Sequence, residues 1–399
     1  MIPEGHPNDS RIRTIATIWA VAAGLFYCYD ILRDTGRTLT AGGRPLGDDY
    51  VNFWSGPFLA WHGRLGDIYH WPIYHAFQQG IVGEDLGAYV YAYPPVLLIL
   101  TAPLAALPYL PGLAAWLIGG WLCFWRSLRL ALPGREGLLL AAATPAVFVN
   151  AYSGQNGTWT AAFFGGGLCL LERRPFVAGM LMGLLIYKPQ LGLLLPVAFI
   201  AGRQWWAIVG ASLSAGSLLL ASLAWFGPEL WREYLGVGTL MRQVVLEQGG
   251  AGWNRLISVF ASARVLGAEV AAAYAVQAIV GVIAAAVVAI AWLRNEPMPI
   301  KSATLVLGTC LATPYLQDYD LVVGAFVVVW LTRPEMLAYC SERAALVACG
   351  LILTLPLLAS PLQNMTGLVF GPLFLLPGFV LTARALVARP ILMPAATAR

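Results

Sequence analysis

Charged side chains are scarce in this chain, so the few that interrupt its apolar runs stand out. Two adjacent carboxylates, Asp48 and Asp49, open the segment GDDYVNFW (47–54) and are followed at once by aromatic and apolar residues. One aspartate here reads as a loop or helix-capping residue. Two in a row ahead of an apolar-aromatic run point to a polar pocket at an interface. A lysine lies inside an apolar run at YKPQ (187–190), where an ammonium is costly unless it faces water or an anion. Lys188 either snorkels to headgroups or meets a phosphate. In SGQNG (153–157), Gln155 and Asn156 offer amides to a hydroxyl-rich ligand or turn the chain between two helices. In TPYLQDYD (313–320), Asp318 and Asp320 either cap the helix that follows or bind substrate. The segment 227–256 carries Arg232, Arg242 and Arg255 beside Trp253 and Asn254, groups suited equally to phosphate and to lipid headgroups. Aromatics interleaved with polar residues at 61–77 and at YVYAYPP (89–95), Tyr93 among them, suit a membrane belt, an interfacial helix or stacking on sugar rings. The sequence has no phosphate loop, GxGxxG turn, HExxH or Ser-His-Asp set. The chemistry on offer is that of carboxylate, cation and amide groups.

The elements that position these groups are apolar helices. Of the 399 residues, 59% are hydrophobic and only 11% charged, less than half the charged share of about 25% in soluble domains. Mean hydropathy is +0.71, and apolar runs near the roughly 20 residues that cross a bilayer recur from end to end. The expectation is an all-α, polytopic integral membrane protein forming a single domain over 1–399, since no polar block is long enough for a separate one. The net charge of +4, without a basic run or zinc-finger spacing, gives no support for nucleic-acid binding. The six cysteines, Cys28, Cys123, Cys169, Cys310, Cys340 and Cys349, mostly fall inside apolar runs without CxxC pairing and read as small membrane-buried residues.

The basic loops set the orientation. Arg11 and Arg13, ERRP (172–175), GRQWW (202–206), RNEPMPIK (294–301), TRPE (332–335) and the Arg384/Arg389 tail belong on the cytoplasmic side. The run 13–34 ends in YCYDILRD without a small-x-small cleavage site, so it reads as a retained helix rather than a signal peptide. Both termini are then cytoplasmic in a cell inner (plasma) membrane, and 35–92 and 227–256 are the two large periplasmic loops, the first bearing interfacial helices. Residues 92–126 hold either two short spans or one span plus a re-entrant stretch broken by Pro94, Pro95, Pro103, Pro108 and Pro111. Two spans would leave RSLRLALPGRE (126–136) outside, against the charge rule. The count is 10–12 spans. Between ERRP and GRQWW each arm is about 13 residues, roughly 20 Å of helix, so YKPQ forms an apex near the outer interface or in a cavity below it.

In order along the chain, DDYVNFW, GRLGDIYH, YAYPPVLLILTAPLAALP, SGQNG and AGMLMGLLIYKPQLGLLLP resemble the polyprenyl-phosphate-dependent glycosyltransferases of the GT-C superfamily. The closest resemblance is to glycosyltransferase family 87, which includes phosphatidylinositol-mannoside mannosyltransferases, and it runs over about residues 10–330. It implies a GT-C-like membrane fold and a polyprenyl-phosphate sugar donor, mannose favoured. It also implies a glycolipid or glycan acceptor and a catalytic aspartate in the first outer loop. The family pattern of an Asp followed by an aromatic, then an aromatic pair, falls on Asp49-Tyr50 and Phe53-Trp54. Asp49 is then the base and Asp48 its neighbour, although the duplicated aspartate leaves the assignment ambiguous by one residue. TPYLQDYD departs from the aromatic/His-containing version of many members, which leaves its role open. Lys188 and Arg255 are expected to meet the donor phosphate. Tyr93, Gln155, Asn156, Asn254, Asp318 and Asp320 are expected to contact substrate. No cofactor is required, the alternative being a divalent metal held by the aspartate pair. A transporter or flippase is the rival class and an assembly subunit the third, but no internal repeat relates the two halves.

Overall fold

The computed structural model describes residues 7–33, 38–39, 43–250, 253–294 and 296–388. These form helices and turns, with no strand among the described residues beyond two isolated backbone bridges, Leu39 to Pro45 and Leu256 to Gln317. Three helices are long and apolar enough to cross a membrane: Trp205–Glu247, Val270–Leu293 and Glu342–Thr366. Several other apolar helices are shorter, because prolines and glycines interrupt them.

The stretch after YPP is one such interruption. Val96–Leu100 and Ala102–Ala106 are single turns separated at Thr101, whose hydroxyl bonds back to Leu97 O (2.7 Å). Pro108 then precedes one continuous helix, Tyr109–Ala131, and Pro111 falls in its first turn, where its missing N–H costs nothing. The broken stretch plus one long helix is therefore what these prolines produce, rather than two helices of similar length.

The YKPQ apex is broken as expected. Pro175–Gly183 tightens into the 3₁₀ turn Leu184–Tyr187, Lys188 leaves helical geometry (φ −138°, ψ 63°), and Pro189–Gly192 leads into Leu195–Ala201. The first arm packs against Trp205–Met241 through small residues. A Cβ on Gly179 would lie 2.0 Å from Ala207 O, and one on Gly183 would lie 2.1 Å from Ser214 Oγ. This GxxxG spacing lets the two backbones approach closely.

Trp205–Met241 bends at Gly227 (φ 78°) ahead of Pro228, a conformation glycine adopts without the penalty of a side chain. The segment 227–256 is accordingly not an extended loop. It stays helical through Met241 and continues as a π turn, Arg242–Glu247.

The segment that follows the first helix also differs in one respect from an array of interfacial helices. Tyr50–Trp61 is buried on nearly every side. Phe53 stacks on Trp116 with centroids 4.9 Å apart, Trp54 stacks on Phe58 at 4.8 Å, and Tyr50 meets Tyr109 edge-on at 5.2 Å. These aromatics form a core, because the chain supplies its own aromatic partners. Trp71–Val82 buries only Tyr74, Gln78 and Val82 and has the one-sided character of an interfacial helix.

The two ends of the bundle differ in charge. At one end Arg333 donates to Ala131 O and Arg294 to Leu386 O, and a cavity of about 140 Å³ is lined by Ala131, Glu172, Pro299 and Arg333 among others. The basic connections around 131, 172, 294, 333 and 386 thus gather there. The opposite end holds Asp48, Asp49, Asp318 and Asp320.

Candidate functional site

Four polar interruptions of the sequence meet at that opposite end. The turn 46–49 is set by Gly47 (φ 81°) and by Asp48, which has a left-handed φ of 48°, a conformation aspartate tolerates better than most residues. Gly154 (φ 57°) lies so close to this turn that a Cβ on it would be 1.8 Å from Gly47 O. The Asp49 N–H donates to Ser153 O (3.2 Å). SGQNG is thereby fastened to the aspartate pair. On its other side, a Cβ on Gly157 would sit 2.2 Å from Tyr319 O, which fastens SGQNG to TPYLQDYD. The turn Trp253–Arg255 joins through Ile257 N–H to Leu316 O (2.9 Å).

The two aspartates have different surroundings. Asp48 Oδ1 accepts from the Tyr89 hydroxyl (2.6 Å), and Oδ2 lies 3.8 Å from Arg255 Nη1. Asp49 occupies the N-cap position of Tyr50–Trp61 but its side chain does not cap. Its Oδ2 accepts from Gln155 Nε2 (2.7 Å). Its Oδ1 has no hydrogen-bond partner among the described residues. The Asp49 pKa is raised to about 6, first by burial and next by the charge of Asp48. Arg255, the Gln155 hydrogen bond and Lys188 oppose the rise.

Arg255 is the most connected cation. Its Nη2 donates to Ser153 Oγ (2.6 Å) and to Asp318 Oδ1 (3.2 Å), and its guanidinium lies 5.3 Å from the centroid of the Tyr319 ring. Burial works against its charge, but Asp318, Tyr319 and Asp49 outweigh burial and hold its pKa above the ordinary arginine range. Burial raises the Asp318 carboxyl, and Arg255 restrains that rise. Arg232 and Arg242 do not enter the site. They pair with Glu229 and Glu247 and are largely exposed.

Lys188 is 3% exposed and its ammonium is already engaged, by Asp320 Oδ1 (2.5 Å) and Asn156 Oδ1 (3.1 Å), with the Tyr319 ring 4.6 Å away. A donor phosphate at Lys188 would have to displace or outcompete Asp320. Asp320 also caps, its Oδ2 accepting the Gln317 N–H (3.1 Å). Tyr93 bridges the two amides of SGQNG. It donates to Gln155 Oε1 (3.2 Å) and accepts from Asn156 Nδ2 (3.4 Å). Asn254 is half-buried beside Arg255 and makes no side-chain hydrogen bond among the described residues. The structure thus brings together Asp48, Asp49, Tyr93, Gln155, Asn156, Lys188, Arg255, Asp318 and Asp320.

Three participants are not singled out by the sequence reading, Tyr89, Ser153 and Tyr319. For Tyr89 a signal exists. Tyr89, Tyr91 and Tyr93 alternate in extended chain, so they share one face. Ser153 is one of many serines, and only the fold reveals its contact with Arg255. Among the described residues no three His, Cys, Asp or Glu side chains converge as metal ligands.

No curated protein and no solved structure matches the chain. A model of glycosyltransferase family 87 matches residues 91–314, more than half of the chain. That span contains Tyr93, SGQNG, Lys188 and Arg255, with Asp318 and Asp320 just beyond it and the aspartate pair about 40 residues ahead of its start. A helical bundle with membrane-crossing helices, carrying a cluster of carboxylates, amides and cations at one end, is the setting in which this match falls: the chain belongs to glycosyltransferase family 87 and is a membrane glycosyltransferase.

Proposed function

We propose that this enzyme inverts configuration as it moves a hexose, mannose favoured, from a polyprenyl-phosphate donor to a glycolipid or glycan acceptor. The observation that carries the reading is the state of Asp49. One carboxylate oxygen is held by Gln155, the other is free of partners among the described residues, and the pKa of about 6 lies near the working range of a cell envelope. A general base needs a fixed carboxylate with an open oxygen and a pKa near ambient pH. Asp48 lacks that freedom, since Tyr89 and Arg255 engage it. Asp49 therefore takes the acceptor hydroxyl proton as the acceptor oxygen attacks the anomeric carbon. The bond from that carbon to the phosphate oxygen breaks through an oxocarbenium-like transition state.

Arg255 stabilises the charge that develops on the departing lipid phosphate. Its side chain is 28% exposed, so a ligand can reach it. Tyr93 and Asn254 line the approach for sugar or acceptor hydroxyls. No divalent metal is invoked in this reading, because an aspartate pair alone offers few ligands. The carboxylate end faces the periplasm of the inner membrane, which places the gathered basic connections in the cytoplasm.

The test is a transfer assay on protein reconstituted with short-chain polyprenyl-phosphate mannose and a membrane glycolipid extract, following release of polyprenyl phosphate. Release is expected with wild type and Asp48→Asn, and not with Asp49→Asn. Equal release from Asp49→Asn and wild type would remove Asp49 as the base. No release with any sugar donor would return the transporter reading.

A further inference from the structure

An unbroken series of hydrogen bonds joins the ammonium of Lys188 to the carboxylate of Asp49. Lys188 Nζ donates to Asn156 Oδ1 (3.1 Å), and Asn156 Nδ2 donates to the Tyr93 hydroxyl (3.4 Å). That hydroxyl donates to Gln155 Oε1 (3.2 Å), and Gln155 Nε2 donates to Asp49 Oδ2 (2.7 Å). The charges at the two ends fix its direction. An ammonium has only donors, so Asn156 must turn its oxygen toward Lys188. A carboxylate has only acceptors, so Gln155 must turn its NH₂ toward Asp49. Tyr93 is left to accept from Asn156 and donate to Gln155, and every donor in the series points toward Asp49. Lys188, Asn156 and Gln155 are all buried, so water competes little and aligned bonds reinforce one another.

We propose that Lys188 is a positioning residue for Asp49. Acting through Asn156, Tyr93 and Gln155, it locks the Asp49 carboxylate by Oδ2 and keeps Oδ1 turned to the acceptor, instead of binding the donor. The proposal rests on Asp49 being the base. Asp320 has a supporting part, since its carboxylate pairs with the buried ammonium at the head of the series. Other groups also act on Asp49. Asp48 and Arg255 lie beside it, and the phenols of Tyr89, Tyr93, Tyr315 and Tyr319 face it. A test must therefore separate the series from plain charge effects.

The experiment reads Asp49 protonation without substrate. Protein carrying isotope-labelled aspartate is titrated in nanodiscs by infrared difference spectroscopy. The Asp49 carboxyl band is identified as the one missing in Asp49→Asn. Tyr93→Phe cuts the series by removing one hydroxyl. Lys188→Met combined with Asp320→Asn removes both charges at the lysine end together and leaves no bare ion buried. Each is expected to move the Asp49 midpoint up by about half a unit to one unit, the size of one modest hydrogen bond. The triple variant should move it no further than Tyr93→Phe alone, because a series already cut has nothing more to lose. An unchanged midpoint in Tyr93→Phe overturns the proposal, and so does an additive shift in the triple variant. Melting curves confirm that each variant is folded. If Asp49→Asn retains transfer while the midpoints behave as described, the assignment of the base fails and the series stands as a structural device.

Discussion

The proposed base, Asp49, with its pKa raised to about 6, makes a quantitative demand on the pH dependence of transfer. About nine-tenths of Asp49 is ionised at pH 7 and about one-tenth at pH 5, so kcat/KM should fall roughly tenfold between them, and tenfold per unit below that. The perturbation is pH alone, and the assay is initial-rate release of polyprenyl phosphate in proteoliposomes. Asp49→Asn should lose the limb with the activity, a drop of about 10²–10⁴-fold. In Asp48→Asn the limb should move to lower pH, because the charge of Asp48 is one of the causes that raise Asp49. The same group makes a stability prediction of opposite sense. Its folded pKa lies above the unfolded value of 3.8, so the folded state binds the proton more tightly. Stability is therefore fully present below that value and is lost as pH rises through the folded pKa. Asp49→Asn should melt no lower than wild type at pH 7 while being inactive. A rate that stays flat from pH 5 to 7.5, or an Asp49→Asn protein that is inactive because it is unstable, refutes the reasoning.

Further outcomes follow from the same contacts. Arg255→Lys keeps the charge but cannot reproduce the forked contact with Ser153 and Asp318, so KM for the donor should rise by about tenfold to a hundredfold, measured by donor titration. Arg232→Ala should change neither rate nor melting temperature, since that arginine pairs at the exposed surface with Glu229 alone. Lys188→Met by itself strands the buried Asp320 and should cost about 3–5 kcal/mol of stability, seen as a lowered melting temperature that Asp320→Asn in the same protein partly restores. Gly154→Ala places a Cβ 1.8 Å from Gly47 O at a positive φ. It should abolish activity through displacement of the aspartate turn, with a lowered melting temperature as the accompanying reading.

The helical, membrane-crossing character of the chain was legible because hydropathy is a sum over many residues and survives local irregularity. The breaks at YPP and YKPQ were legible because proline acts through its own covalent geometry. The meeting of GDDY, SGQNG, Lys188, Arg255 and TPYLQDYD was legible only as a set of polar interruptions, each too costly in an apolar chain to lack a partner. Pairwise detail was not. Nothing local marks Arg255 rather than Arg232 or Arg242 as the arginine that turns inward. That choice is made by the bridge from Leu256 to Gln317. Likewise the aromatics of 50–58 carry the composition of an interfacial belt, and only Trp116, Tyr109 and Phe77, supplied from other segments, make them a core.

The charge arithmetic of the site supports a single concerted step. Asp48, Asp49, Asp318 and Asp320 face Lys188 and Arg255, four carboxylates against two cations. A donor phosphodiester adds one more negative charge, which raises the cost of keeping Asp49 ionised and favours a base that is relieved of its charge during the reaction. In the proposed step the acceptor proton passes to Asp49 as the lipid phosphate leaves with an additional negative charge. One carboxylate is neutralised while one phosphate charge appears, so the total charge of the buried site stays constant. In a region where water screens poorly, moving charge from one fixed place to another costs far less than creating it. Arg255, close to Asp48 and within the field of Asp49, is placed to feel that transfer. Lys188, already neutralised by Asp320, serves better as the fixed end of the hydrogen-bond series than as a second phosphate ligand.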